Sequence, residues 1–224
     1  MKTILFQGDS ITDCGRLREG EYNKFLKLYN RLAKKTPLGG GYPSLVAKEL
    51  GNEDNYTFVN RGISGNRVPD VYARIVRDII KIKPDYLSIL VGVNDIWHGF
   101  DWNNGTGTKR FEKVYDMLIS ELKEELPDTK IMLLEPFILE GAATANRNDQ
   151  PDRFLKFKEG IEEVSAITRM LCERHNVKFV PLQDVLNEAG EKNGAKNILS
   201  DGVHPTEKGH EIIKNEWLKA FRQL

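Results

Sequence analysis

"YLSILVGVND" (Tyr86–Asp95) begins with six residues of nearly unbroken hydrophobicity and ends in Gly92-Val93-Asn94-Asp95. A strand with one solvated face alternates apolar and polar residues. This one does not, which predicts a central parallel strand covered on both faces. Ligands of open α/β sheets bind at the carboxyl ends of strands, where Asn94 and Asp95 fall.

Four further strand-like runs flank Asp85–Val91 in the sequence: Thr3–Gln7, Tyr56–Asn60, Lys130–Glu135 and Val177–Val180. Amphipathic stretches lie between the later ones. In Lys109–Leu126 the residues Phe111, Val114, Tyr115, Leu118, Ile119, Leu122 and Leu126 recur at i, i+3 and i+4, one helix face. Asp152–His175 carries a second stripe through Phe154, Phe157, Ile161, Val164 and Leu171. Strand then helix, repeated, predicts an α/β sandwich around a parallel sheet of about five strands with right-handed crossovers. With no repeat, low-complexity tract or linker, residues 1–224 read as a single domain. Three longer irregular segments, Leu17–Gly41, Trp97–Thr108 and Glu140–Gln150, are of a length that loops reach for function or for an interface.

Composition narrows the partners. Lys plus Arg number 33 and Asp plus Glu 33, so no net charge draws the chain to nucleic acid or to an anionic membrane. Cys14 and Cys172 are too few for a disulfide framework and lie outside any metal spacing, which predicts a reducing, cytoplasmic setting. No secretory leader is visible or expected before the first strand, and no apolar run in the sequence approaches the roughly 20 residues of a membrane span.

Polar residues follow each strand. They are Gly8-Asp9-Ser10 after the first, Asn60–Asn66 ("NRGISGN") after the second, Asn94-Asp95 after the third and Glu135-Pro136-Phe137 after the fourth. Beyond the last strand and a short helix, "LSDGVHP" holds Asp201, His204 and Pro205. A serine hydroxyl attacks a carbonyl only when a base takes its proton and a third group holds the base's tautomer. Ser10, His204 and Asp201 fit those catalytic roles, and Pro205 keeps His204 out of the helix that begins near Thr206. An oxyanion needs donors set in advance. The candidates are the Ser10 and Gly62 backbone N–H groups and the Asn94 side-chain amide. Each piece alone reads as a helix cap, a turn or a loop. Their joint occurrence at matching strand ends points to catalysis.

Other candidates are weaker. Ser64 lacks the glycine of a G-x-S-x-G elbow, and Cys14 has no obvious base of its own. "HEIIK" (His210–Lys214) lacks the second histidine of a zinc motif, so no metal is expected. His175 reads as a structural residue at a helix end. "GTGTK" (Gly105–Lys109) is not a phosphate loop and reads as a helix capped by Thr106 or Thr108. Trp97 and Trp102 can be read as substrate-binding residues that stack on a sugar, or as packing, and His98 as a substrate-binding residue lining the pocket, or as a loop histidine.

"GDSIT", "NRGISGN", "GVND" and "DGVHP" together resemble the four blocks of the SGNH, or GDSL-type, hydrolases. The resemblance runs from residue 8 to residue 205. It implies a flavodoxin-like three-layer α/β/α sandwich, a Ser-His-Asp triad and no cofactor. It also implies an oxyanion hole from serine, glycine and asparagine, which in this sequence are Ser10, Gly62 and Asn94. "GDSITDCGR", "KPDYLSILVGVNDIW" and "EPFILEG" look like the intracellular bacterial branch that includes acetylxylan esterases. That likeness implies an acylated oligosaccharide as the small-molecule substrate, and a homo-oligomer. The branch carries a Trp close before its catalytic Asp, whereas Leu199 and Ser200 stand before Asp201 here. Two rival readings are a lysophospholipase or acyl-thioesterase of the same family, and a non-catalytic binding protein on the same fold.

Overall fold

The computed structural model describes residues 1–18, 36–51 and 56–224. Five strands, β1 (Lys2–Gly8), β2 (Tyr56–Asn60), β3 (Tyr86–Leu90), β4 (Lys130–Leu134) and β5 (Lys178–Val180), form one sheet. Its order is β2-β1-β3-β4-β5 and every pairing is parallel. The order is that of flavodoxin-like sheets, and each strand lies within one residue of its expected bounds. β3 occupies the centre, and its residues Leu87 to Leu90 are at most 1% exposed. From β1 the chain moves to one edge and from β3 to the other, so the switch point lies between the ends of β1 and β3.

Helices cover both sheet faces. On one side α2 (Tyr42–Leu50) packs against α8 (Glu207–Phe221), with α7 (Gln183–Asn193) beside α8. Phe6 of β1 meets Tyr42 and Trp217 there at ring distances of 5.7 and 5.4 Å. On the other side lie α3 (Val68–Tyr72), α4 (Val93–Trp102), α5 (Thr108–Glu125) and α6 (Arg153–His175). The α6 stripe is buried at Phe157, Ile161, Val164 and Leu171. Phe154, in its first turn, is only partly buried because it borders an open groove of about 770 Å³ between α6 and α7.

Two loop expectations are corrected. Trp97–Thr108 is helical as far as Trp102, where Asn103 closes α4 in the left-handed conformation (φ 49°). Val93, Ile96, Trp97 and Phe100 supply its inward stripe. The cap of α5 is Gly107, with no side-chain cap bond from Thr106 or Thr108. Thr106 is instead buried, and its N–H donates to the Asp95 carbonyl at 2.9 Å. Of the Leu17–Gly41 segment, residues 19–35 lie outside the described residues. The Leu17 N–H donates to the Thr36 carbonyl, so the two described ends of that segment sit together, and the Gly40 N–H donates to the Cys14 carbonyl just past α1.

Candidate active site

At the end of β1 the chain turns at once into α1 (Ser10–Asp13). A side chain at Gly8 would bring its Cβ within 2.3 Å of the Leu90 carbonyl oxygen and 2.5 Å of Thr12 Oγ1. Only glycine lets the turn lie this close to β3. Asp9 caps α1, its Oδ1 accepting the Ile11 N–H at 2.9 Å. Ser10 therefore opens the helix, at the switch point.

His204 comes to it from the far end of the chain. Its Nε2 is 2.9 Å from Ser10 Oγ and its Nδ1 is 2.8 Å from Asp201 Oδ2. A carboxylate can only accept, so Nδ1 carries the proton and Nε2 is left to accept from the serine hydroxyl. The other Asp201 oxygen accepts the Val203 and His204 backbone N–H groups at 2.9 and 2.8 Å. Burial alone would raise the Asp201 carboxyl; these three hydrogen bonds outweigh it and hold the group at about 2. The bond to Asp201 raises His204 above the ordinary 6.5, against the opposing effect of burial. The loop is fixed by a bridge between Leu199 and Pro205 and by Thr206, whose hydroxyl caps α8.

The two other donors reach the same edge with different freedom. Asn94 gives one amide hydrogen to the Asn66 carbonyl at 3.2 Å and has a second to offer. The Gly62 N–H is held by Asn60 Oδ1 at 2.9 Å, so an oxyanion would have to share it. The glycine itself is explained by packing: a Cβ at Gly62 would lie 2.5 Å from the Asp13 nitrogen and 2.9 Å from Thr12. Asn60 organises this corner, donating also to the carbonyls of Thr12 (2.6 Å) and Leu38 (2.8 Å). Its "NRG" context is an Asx-turn pattern that could have exposed the role in sequence.

Trp97 lies half-buried with its ring centre 5.9 Å from that of His204, its indole N–H held by Asp101 at 2.5 Å. Trp102 and His98 continue outward: Trp102 is 61% exposed, 6.4 Å from Trp97 and edge-on to His98 at 4.7 Å. Two buried carboxyls lie behind the site. Burial pushes Asp9 up to about 7 and Asp95 up to about 7. Asp95 accepts the Val68 N–H and so ties the third strand-end loop to α3.

The rival nucleophiles are differently engaged. Ser64 Oγ donates to the buried Asp13 carboxylate at 3.2 Å. Cys14 Sγ is 3.5 Å from His210 Nε2, but His210 Nδ1 accepts the Tyr42 N–H at 3.2 Å. The ring proton therefore sits on Nε2, facing the sulfur, and the imidazole cannot take the thiol proton. Burial lowers His210 to about 4 and raises Cys14. His175 sits 2.7 Å from Asp116, a structural contact between α5 and α6. Among the described residues, no three His, Cys, Asp or Glu side chains are grouped to hold a metal ion, and no helix is long and apolar enough to cross a membrane.

Comparison with known proteins points to one family of hydrolases. The model of the GDSL-like lipase/acylhydrolase family matches residues 6–212. An acetylxylan esterase of Geobacillus stearothermophilus is 32% identical over 226 residues, covering 97% of this chain and 93% of that protein. Its crystal structure superposes with a TM-score of 0.78 at 30% identity, over 98% of this chain and 93% of that one. Catalytic mutants of that esterase carry alanine at a serine, an aspartate and a histidine, the last two three positions apart. A structure from Parabacteroides merdae, described as a GDSL-like lipase, has a TM-score of 0.85 at 35% identity, over 100% of this chain and 96% of that one.

Proposed function

This chain belongs to the GDSL-like lipase/acylhydrolase family and is a carboxylic ester hydrolase, and within that class we propose that it removes acetyl groups from acetylated xylo-oligosaccharides, with Ser10 as nucleophile. The observation that carries this reading is the run of two short hydrogen bonds from Ser10 Oγ through His204 to the Asp201 carboxylate.

His204 Nε2 takes the Ser10 proton as Oγ attacks the ester carbonyl, and Asp201 stabilises the imidazolium that forms. The oxyanion is met by the Ser10 N–H and the free hydrogen of the Asn94 amide, with the Gly62 N–H as a shared donor. Collapse breaks the bond to the sugar oxygen, which leaves with the proton from His204, and the acetyl group stays on Ser10. Water then gives a proton to His204 and its oxygen to the acyl carbon. Acetate departs and Ser10 recovers its hydrogen.

Two features support a sugar as the leaving group. The exposed indole of Trp102, with His98 and Trp97, forms an aromatic wall beside His204 on which a pyranose face can stack. The similar esterase from Geobacillus stearothermophilus is itself described as an acetyl-xylooligosaccharide esterase. The test is acetate release from acetylated xylo-oligosaccharides, beside nitrophenyl esters of increasing acyl length, with Ser10→Ala as control. Release that vanishes in the variant and collapses beyond short acyl groups is the expected result. Activity that rises with acyl length would place the enzyme among lipid or thioester hydrolases instead.

A further inference from the structure

Arg153, the first residue of α6, has a side chain with 0% exposure. A buried guanidinium is costly unless all its donors are met. Here every one of its N–H groups has a partner. Nη1 and Nη2 fork onto the two Asp101 oxygens at 2.8 and 3.1 Å. Nε and Nη2 close on the Ala143 carbonyl at 3.0 and 2.8 Å, and Nη1 also reaches Gln150 Oε1 at 2.5 Å. The plane rests against the rings of Phe100 and Phe157, 5.2 and 5.9 Å away.

Both partners lead to the site. Asp101 is the acceptor of the Trp97 indole N–H, and Trp97 packs on His204. Ala143 donates its own N–H to the Asp201 carbonyl at 2.8 Å, while Leu139 N–H holds the Gly202 carbonyl at 2.9 Å. One buried group thus touches, at one remove, the wall beside the imidazole and the backbone that carries its carboxylate.

We propose that Arg153 is a positioning residue for ester hydrolysis: shared between Asp101 and Ala143, its guanidinium sets the Trp97 ring beside His204 and the approach of the Asp201 loop to the imidazole. The inference rests on the roles of Ser10, His204 and Asp201 given above. Lysine cannot replace it, having three donors and no plane with which to meet a carboxylate and a carbonyl together. If the residue only stitched α4 to α6, its loss would lower the number of folded molecules and leave each folded site unchanged.

The experiment compares Arg153→Lys and Asp101→Asn with the wild type. Intact sites are counted by fluorophosphonate titration, kcat and KM are taken per site, and the His204 imidazole is titrated by NMR. Among the described residues, the charged or titratable groups around that ring are Asp201, Asp9 and His210. The expected result for Arg153→Lys is a loss of about 10²-fold in kcat per site with a smaller change in KM. His204 should titrate at lower pH, because a loosened Asp201 supports the imidazolium less. Asp101→Asn should move both quantities in the same direction by less, and it carries the test if Arg153→Lys does not fold. Wild-type kcat per site with an unshifted imidazole in a folded variant overturns the proposal. Should wild-type Ser10 fail to label, the nucleophile reading falls, and the imidazole titration alone decides: a shift supports the coupling and its absence overturns it.

Discussion

Asn94 separates two ways of stabilising a transition state at the scale of one side chain. It is buried, neutral and tethered through only one of its two amide hydrogens. In the proposed oxyanion role the second is fixed before any substrate arrives, so its bond would strengthen as charge develops on the carbonyl oxygen. Asn94→Ala should therefore lower kcat by about 10²–10³ with little change in KM. Steady-state kinetics on a short-chain ester checks this, and a pure rise in KM would make Asn94 a binding residue. The roles proposed for Ser10, Asn94 and His204 are legible in sequence because each stands within a few residues of a strand end or a helix start. Arg153 and Asp101 are not. They are 52 residues apart, and "PDRF" reads locally as the solvated start of an amphipathic helix.

Among the elements, the four-residue α1 decides where Ser10 sits. It is held by the Asp9 cap below and by the Cys14 N–H bond to the Ser10 carbonyl above. Gly8→Ala would force a methyl group into the Leu90 carbonyl oxygen and Thr12. The expected cost is about 1–3 kcal/mol, the range for overpacking a close-packed site. Urea unfolding should show it as a lower midpoint at unchanged slope. A midpoint equal to the wild type's would show that β1 and α1 can part without penalty. The strands were readable because a strand covered on both faces is apolar throughout, a local property. α4 was harder. Its stripe of Val93, Ile96, Trp97 and Phe100 is short and interleaved with Asn94, Asp95 and His98, so the polar cargo of the strand end hides the helix. Gly107, rather than a threonine, caps α5 because Thr106 is drawn inward to Asp95.

For the whole molecule, convergence at the switch point places buried carboxyls behind the serine. A carboxyl raised from 3.8 to about 7, as Asp95 is by burial, binds its proton more tightly folded than unfolded. Stability from this group is thus greatest in acid and is lost as pH rises from about 4 to about 7. Asp201 has the opposite sign: held at about 2, it stabilises above 3.8 and loses that contribution as pH falls toward 2. His210, lowered to about 4, also favours higher pH between 4 and 6.5. The difference between Asp95→Asn and wild type isolates the first effect. Its Tm advantage should grow from pH 4 to pH 8 by about 2 °C or more, the shift for about 1 kcal/mol in a chain of this size. A difference independent of pH would mean that Asp95 is ionised throughout. The proposed chemistry turns on the same convergence, because Ser10 and His204 are 194 residues apart in sequence and could act together only if the fold joins them. The most direct measurement is peptide mapping by mass spectrometry after reaction with a fluorophosphonate, in the wild type and in His204→Ala. One adduct per chain on Ser10, formed rapidly in the wild type and barely at all in the variant, is the predicted result. An adduct on Ser64 or elsewhere, or equal labelling without the histidine, would contradict it.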